Sequence, residues 1–124
     1  MLALNILSTL AIGGYTCGLV TDTTYEDHRG WVRDHLADTT RVAAAQSGTL
    51  WYFHQRTINT DGKVNSEIYG IRLGGYGRYL DQSGILYFLE WDTDQIFYDS
   101  TFRALFEPIG RCGRTVVCRS RPVQ

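Results

Sequence analysis

The chain has 124 residues and a mass of 14.1 kDa, room for one domain and little more. With 44% hydrophobic residues, 20% charged residues and a net charge of -1, it is neither a disordered acidic tail nor a histone-like polycation. The charge is uneven. Residues 111–124 hold Arg111, Arg114, Arg119 and Arg121 and no acid, which leaves 8 basic and 13 acidic groups on residues 1–110. Lys63 is the only lysine among the 12 basic residues. Arginine presents a flat fork of donors suited to phosphate and carboxylate, so this bias hints at a binding surface.

Residues 1–14 contain a short apolar run, Leu2 to Ile12, ending in Gly13 and Gly14. It falls short of the ~20 residues that span a bilayer and reads as the hydrophobic part of a secretory leader. No basic residue precedes it and no Ala-x-Ala follows, so a first strand or helix of the fold, or the remnant of a truncated leader, is the competing reading. No other stretch is apolar enough to cross a membrane. From Tyr25 to Ala45 the pattern predicts one long helix. Thr24 and Asp27 form an N-cap pair, and Trp31, Val32, Leu36, Val42 and Ala43 give a helical stripe. From Thr49 the pattern turns to strands: Leu50–Arg56 is aromatic and β-prone, and Val64–Leu73 follows the turn at Thr60-Asp61-Gly62. Gly74 to Gly77 reads as a loop. Arg78–Leu80 and Ile85–Trp91 read as a hairpin, with Ile85–Leu89 as a central buried strand. Thr101–Phe106 reads as a last strand or a short helix. A helix packed on a later antiparallel sheet of four to five strands is an α+β arrangement. The division is a leader at 1–14, a folded domain at 15–112 and an Arg-rich tail at 113–124, in which frayed chain competes with a track for a phosphate backbone.

Three histidines and three cysteines limit the chemistry. His28 and His35 are seven apart on the predicted helix, not at zinc spacing, and are expected to be solvated or near a cap. There is no Cys-x-x-Cys pair, so neither a metal site nor a cofactor is expected. Two of the three cysteines can close one bridge, and Cys17 and Cys112 lie near the two ends. A loop that long would gain about 4–5 kcal/mol from closure in the chain-entropy model, and such a bridge implies an oxidising compartment. His54 lies at period two from Tyr52, so on a strand both share a face. Glu67 on the next strand and Arg78 at the start of another converge with them if the strands are neighbours. A carboxylate or imidazole can take the proton of a ribose 2′-hydroxyl while Arg holds the phosphate, giving a cyclic phosphodiester without metal. Tyr76 and Tyr79, beside the glycine loop, are candidates for contact with a base or a partner. Trp51, Phe88 and Trp91 are expected in the core or half-buried on the sheet.

The ordered set Tyr15-Thr16-Cys17-Gly18, a long helix, Tyr52-Phe53-His54, Glu67, Arg78 and a closing Cys112 resembles the fungal guanyl-specific ribonucleases. It also resembles the ribonuclease-like secreted effectors of cereal powdery mildews, which begin with Tyr-x-Cys just after the leader. The resemblance covers residues 15–112. It implies Glu67 as general base with His54 assisting, Tyr52 adding a hydrogen bond, Arg78 on the phosphate, and a Cys17–Cys112 bridge that leaves Cys118 without a partner. Asp61-Gly62 resembles the acidic-Gly pair of the family's guanine loop, where Arg56 and Thr60 replace the stacking tyrosines. The family's second catalytic histidine has no counterpart: the end of the apolar strand reads Leu89-Glu90-Trp91-Asp92. Losing a positioned acid costs about 10²–10⁴ in rate, and Glu90 or Asp92 would replace it only with a strongly raised pKa. The leading expectation is a monomeric secreted effector acting in a host cell, catalytically impaired, binding a host protein or RNA and recognised by a plant immune receptor. A working guanyl-preferring endoribonuclease and a generic α+β binding domain compete with it.

Overall fold

The computed structural model describes residues 24–45, 47–71 and 73–122. The expected leader at 1–14 and Cys17, one half of the expected bridge, lie outside them. The protein is α+β, and the described residues form four α-helices and a five-stranded mixed sheet.

The first helix, α1 (Thr24–His35), starts with Glu26 and Asp27 and ends with Arg33 and His35, so both ends oppose the helix dipole. It stops ten residues earlier than expected. The chain turns at Ala37–Thr40 and enters strand β1 (Val42–Ala44). All three residues of β1 are buried, as a parallel strand covered on both faces requires. Val42 and Ala43 had extended the helical stripe only because an unbroken apolar run fits either period.

Helix α2 (Gly48–Phe53) stands where a strand was expected, and it leads to the edge strand β2 (Thr57–Asn59). Residues 61–70 form a looped segment with positive φ at Gly62 and Gly70, not the second strand predicted at Val64–Leu73. Helix α3 (Leu73–Gln82) takes in both the predicted glycine loop and Arg78–Leu80. Gly84, at φ 66°, ends α3 while Ile85 N–H reaches back to the Leu80 carbonyl, a Schellman stop.

Strand β3 (Tyr87–Trp91) is central and buried, as expected. A 3₁₀ turn at Gln95–Tyr98 and helix α4 (Ser100–Leu105) follow, capped by the carboxylates of Asp94 and Asp99. The hairpin of β4 (Phe106–Cys112) and β5 (Thr115–Ser120) completes the sheet in the order β2-β1-β3-β5-β4. Strands β2, β1 and β3 run parallel, while β5 is antiparallel to both β3 and β4, so the expected all-antiparallel sheet is mixed. The segment read as a tail carries β5, with Val116, Val117 and Cys118 buried.

Helices cover both faces. Leu80, Ile85, Phe88, Ile96, Phe102 and Phe106 pack on one side, and Val32, Val42, Leu50, Leu89 and Val117 on the other. Gly77 lets α3 press against α4, since a Cβ there would lie 2.7 Å from the Phe102 Cα.

Candidate functional site

In a parallel β–α arrangement, side chains and loops at the carboxyl ends of the strands form the natural ligand crevice. Here those ends are Ala45 and Ser47 after β1, Thr60 and Asp61 after β2, and Trp91 to Asp94 after β3. The looped segment after β2 is pinned by two tyrosines three apart on α3, and so on one face of it. Tyr76 donates its hydroxyl to the Thr60 carbonyl. Tyr79 donates to Glu67 Oε2 at 3.1 Å and accepts from Asn65 Nδ2 at 3.1 Å. Asn65 also donates to the Asn59 carbonyl at 2.9 Å, and its Oδ1 accepts from Glu67 N–H.

Beside this segment lies a cleft of about 690 Å³ between α2, β2 and α3. Trp51, Ile58 and Val64 make its apolar wall, and Ser47, Asn59, Asn65, Glu67 and Tyr79 supply polar groups. Asn59 spends its amide nitrogen on the Ala45 carbonyl and Ser47 Oγ, leaving Oδ1 buried without a partner. An apolar cleft with a few convergent polar groups is the usual form of a small-molecule or base site. Trp51, on its wall, is 55% exposed, its neighbours Tyr52 and Phe53 on α2 are exposed too, and Leu50 is the residue α2 buries. Trp51, expected in the core or half-buried on the sheet, is thus a surface residue, because α2 is a helix and turns it away from the sheet.

The residues singled out in the sequence do not share one sheet face, since none of Tyr52, His54, Glu67 and Arg78 is on a strand. Tyr52 projects from α2 into solvent. His54 ends α2 and is buried, with Nδ1 3.3 Å from Thr57 Oγ1. Glu67 lies in the looped segment, and Arg78 is exposed on α3 beside Tyr79. Of the four, Glu67 alone lines the cleft. Asp61 accepts from Lys63 N–H at 2.8 Å and tightens the turn at Gly62, and Arg56 is exposed just before β2. His28 is buried, against expectation, and burial lowers its pKa despite the nearby Asp27. Cys112 ends β4 with Sγ 3.6 Å from the Asp27 carbonyl, and no disulfide forms among the described residues.

A second cleft, about 430 Å³, opens past β3 between Tyr76, Trp91, Thr93 and Asp94. Glu90 lines it, 3% exposed, with Oε2 accepting from Ala45 N–H at 3.0 Å and Oε1 from Trp91 N–H at 2.9 Å. Burial outweighs these two bonds and lifts its pKa to about 7, with Asp94 and Asp61 adding to the rise. Glu90 thus lines a different cleft from Glu67. Asp92 is held by Arg111 at 3.1 Å.

Sequence reasoning missed Trp51 and Asn65. The signal for Trp51 was the spacing of α2 itself, in which only Leu50 looks inward. Among the described residues no group of three or more His, Cys, Asp or Glu gathers as a metal site, and no helix is long and apolar enough to cross a membrane. No protein-family model, no curated protein and no solved structure matches the chain.

Proposed function

We propose that the protein binds single-stranded RNA, taking an unstacked guanine into the cleft beside Trp51, and that it does so without efficient cleavage. The observation that carries this reading is the exposed Trp51 of α2 on the wall of a cleft that also holds the Glu67 carboxylate. Single-stranded nucleic acid is held by stacking bases on such side chains, at about 1–3 kcal/mol per base. Glu67 gives one oxygen to Tyr79 and keeps the other for a ligand. Guanine offers adjacent N1–H and N2–H donors on its Watson–Crick edge, the partner such a carboxylate selects. Asn65 and Asn59 Oδ1 add hydrogen-bonding capacity around it. That neither His54 nor Arg78 lines the cleft with Glu67 speaks against a concerted cleavage centre. The resemblance supplies the setting, a secreted effector acting in a host cell, and base binding does not depend on it.

The test is quenching of tryptophan fluorescence by short single-stranded RNAs. A guanosine-containing oligomer is expected to bind more tightly than its adenosine counterpart. Trp51→Ala should weaken it by about 1–3 kcal/mol, and Glu67→Gln should erase the guanine preference. Equal binding of every base by all three proteins would sink the reading.

One observation favours the endoribonuclease alternative, namely Glu90 titrating near neutrality. The same incubations decide it: a 2′,3′-cyclic phosphate product that disappears with Glu90→Gln would make the protein an enzyme.

A further inference from the structure

A smaller cavity of about 210 Å³ lies between α1 and a different face of α2 from the one that borders the base cleft. Its polar lining is Arg29, Arg33, Asp38 and His54, and Leu50 and Phe53 are part of its apolar wall. His54 is 6% exposed and its Nε2 is buried with no hydrogen-bond partner. A buried ring nitrogen left unmet costs free energy unless something in the cavity answers it. Thr57 Oγ1 lies 3.3 Å from Nδ1, and in the tautomer where that hydroxyl donates, Nε2 carries the ring proton and can donate to a bound oxygen.

The two arginines are positioned to leave donors over. Arg29 gives Nη1 to Glu26 at 2.9 Å, and its guanidinium lies 4.2 Å over the Phe53 ring, which holds the fork in place. Arg33 spends Nε and Nη2 on Asp34, at 2.7 and 3.1 Å, and keeps Nη1. Two guanidiniums, each already paired with one carboxylate, line with Asp38 and the His54 ring a space large enough for a tetrahedral oxyanion with water around it.

We propose that this cavity binds a phosphate group, clasped by Arg29 and Arg33 with His54 Nε2–H donating to one of its oxygens. Guanidinium forks match phosphate oxygens in geometry as well as charge. Asp38 disfavours a second negative charge and so selects the singly charged form, a phosphodiester or protonated inorganic phosphate. Neither Glu67 nor Arg78 takes part, and the site stands whether or not a base enters the neighbouring cleft.

The experiment follows the histidine ring resonances of the full chain by NMR. Sodium phosphate is titrated against sodium chloride at matched pH and ionic strength, and a guanylyl dinucleotide is titrated in parallel. The expected result is a saturable shift of the His54 resonances with phosphate, in the millimolar range, with His35 unmoved. Arg29→Gln and Arg33→Gln should each weaken binding roughly tenfold, and Asp38→Asn should tighten it. All three side chains lie at the surface or half-buried, so these variants are expected to fold. A response to the dinucleotide as well assigns the site to an RNA phosphodiester, and a response to phosphate alone assigns it to the free ion; either supports the site. His54 shifts that chloride reproduces, no shift at all, or arginine variants that titrate like the parent would overturn it.

Discussion

Among the described residues, burial favours the neutral form of Glu90 and of His28, as it does of the Cys118 thiol, and Glu90 and His28 set opposite limbs of a pH–stability curve. Burial raises Glu90 from 4.5 to about 7, so the folded protein binds more protons than the unfolded chain between these values. The Glu90 contribution is fully present below pH 4.5 and is lost as pH rises through about 7, an effect on the order of 3 kcal/mol at about 1.4 kcal/mol per unit. His28 runs the other way. Burial lowers its folded pKa below 6.5, so its contribution is complete above that value and is lost as pH falls further. Urea unfolding across this range should therefore show greatest stability on the acid side of neutrality. Glu90→Gln should flatten the alkaline limb while leaving the acid limb in place. An unchanged alkaline limb in that variant would show that Glu90 is ionised in the folded protein at no cost.

At the scale of elements, the glycines of α3 decide between two kinds of reading. Gly74 and Gly77 both lie in α3, and neither has a positive φ. A Cβ on Gly74 comes no closer than 4.0 Å to another group, whereas one on Gly77 would strike the Phe102 backbone. Gly74→Ala is expected to stabilise by about 0.4–1 kcal/mol, and Gly77→Ala to destabilise by roughly 1–3 kcal/mol through overpacking, both read from thermal or urea midpoints. Such glycines explain much of what was illegible in the sequence. A Gly-rich run reads as a loop because chain freedom is its visible property, while its close approach to α4 depends on a partner 25 residues further along the chain. Ile85–Trp91 was legible because a long apolar run bounded by turn residues has few other places to go. Leu50–Arg56 misled because aromatic residues favour strands only when both flanking strands receive them. Here β2 starts later, at Thr57, and Leu50 alone anchors a helix. Glu67 was legible as a candidate through its type, whereas Asn65 and Trp51 come to line the same cleft only through the packing of α2 and α3.

On the scale of the whole molecule, the uneven charge in the sequence becomes a structural arrangement. Two of the C-terminal arginines share Glu107, Arg119 at 2.8 Å and Arg121 at 3.5 Å, and Arg111 pairs with Asp92. These exposed pairs add little stability, but they occupy the groups that a basic tail would offer to a nucleic acid backbone. The surface that the proposed RNA binding would use is at the other edge of the sheet, where α2 lies between a cleft walled by Trp51 and an arginine-lined cavity. The most direct measurement of that claim is photo-crosslinking of a short guanosine-containing single-stranded RNA to the full chain, followed by peptide mapping. Crosslinks in the peptides that carry Trp51 to Phe53 and Asn65 to Glu67 are the predicted result. Crosslinks confined to the β4–β5 hairpin, or none at RNA concentrations that quench tryptophan fluorescence, would contradict it.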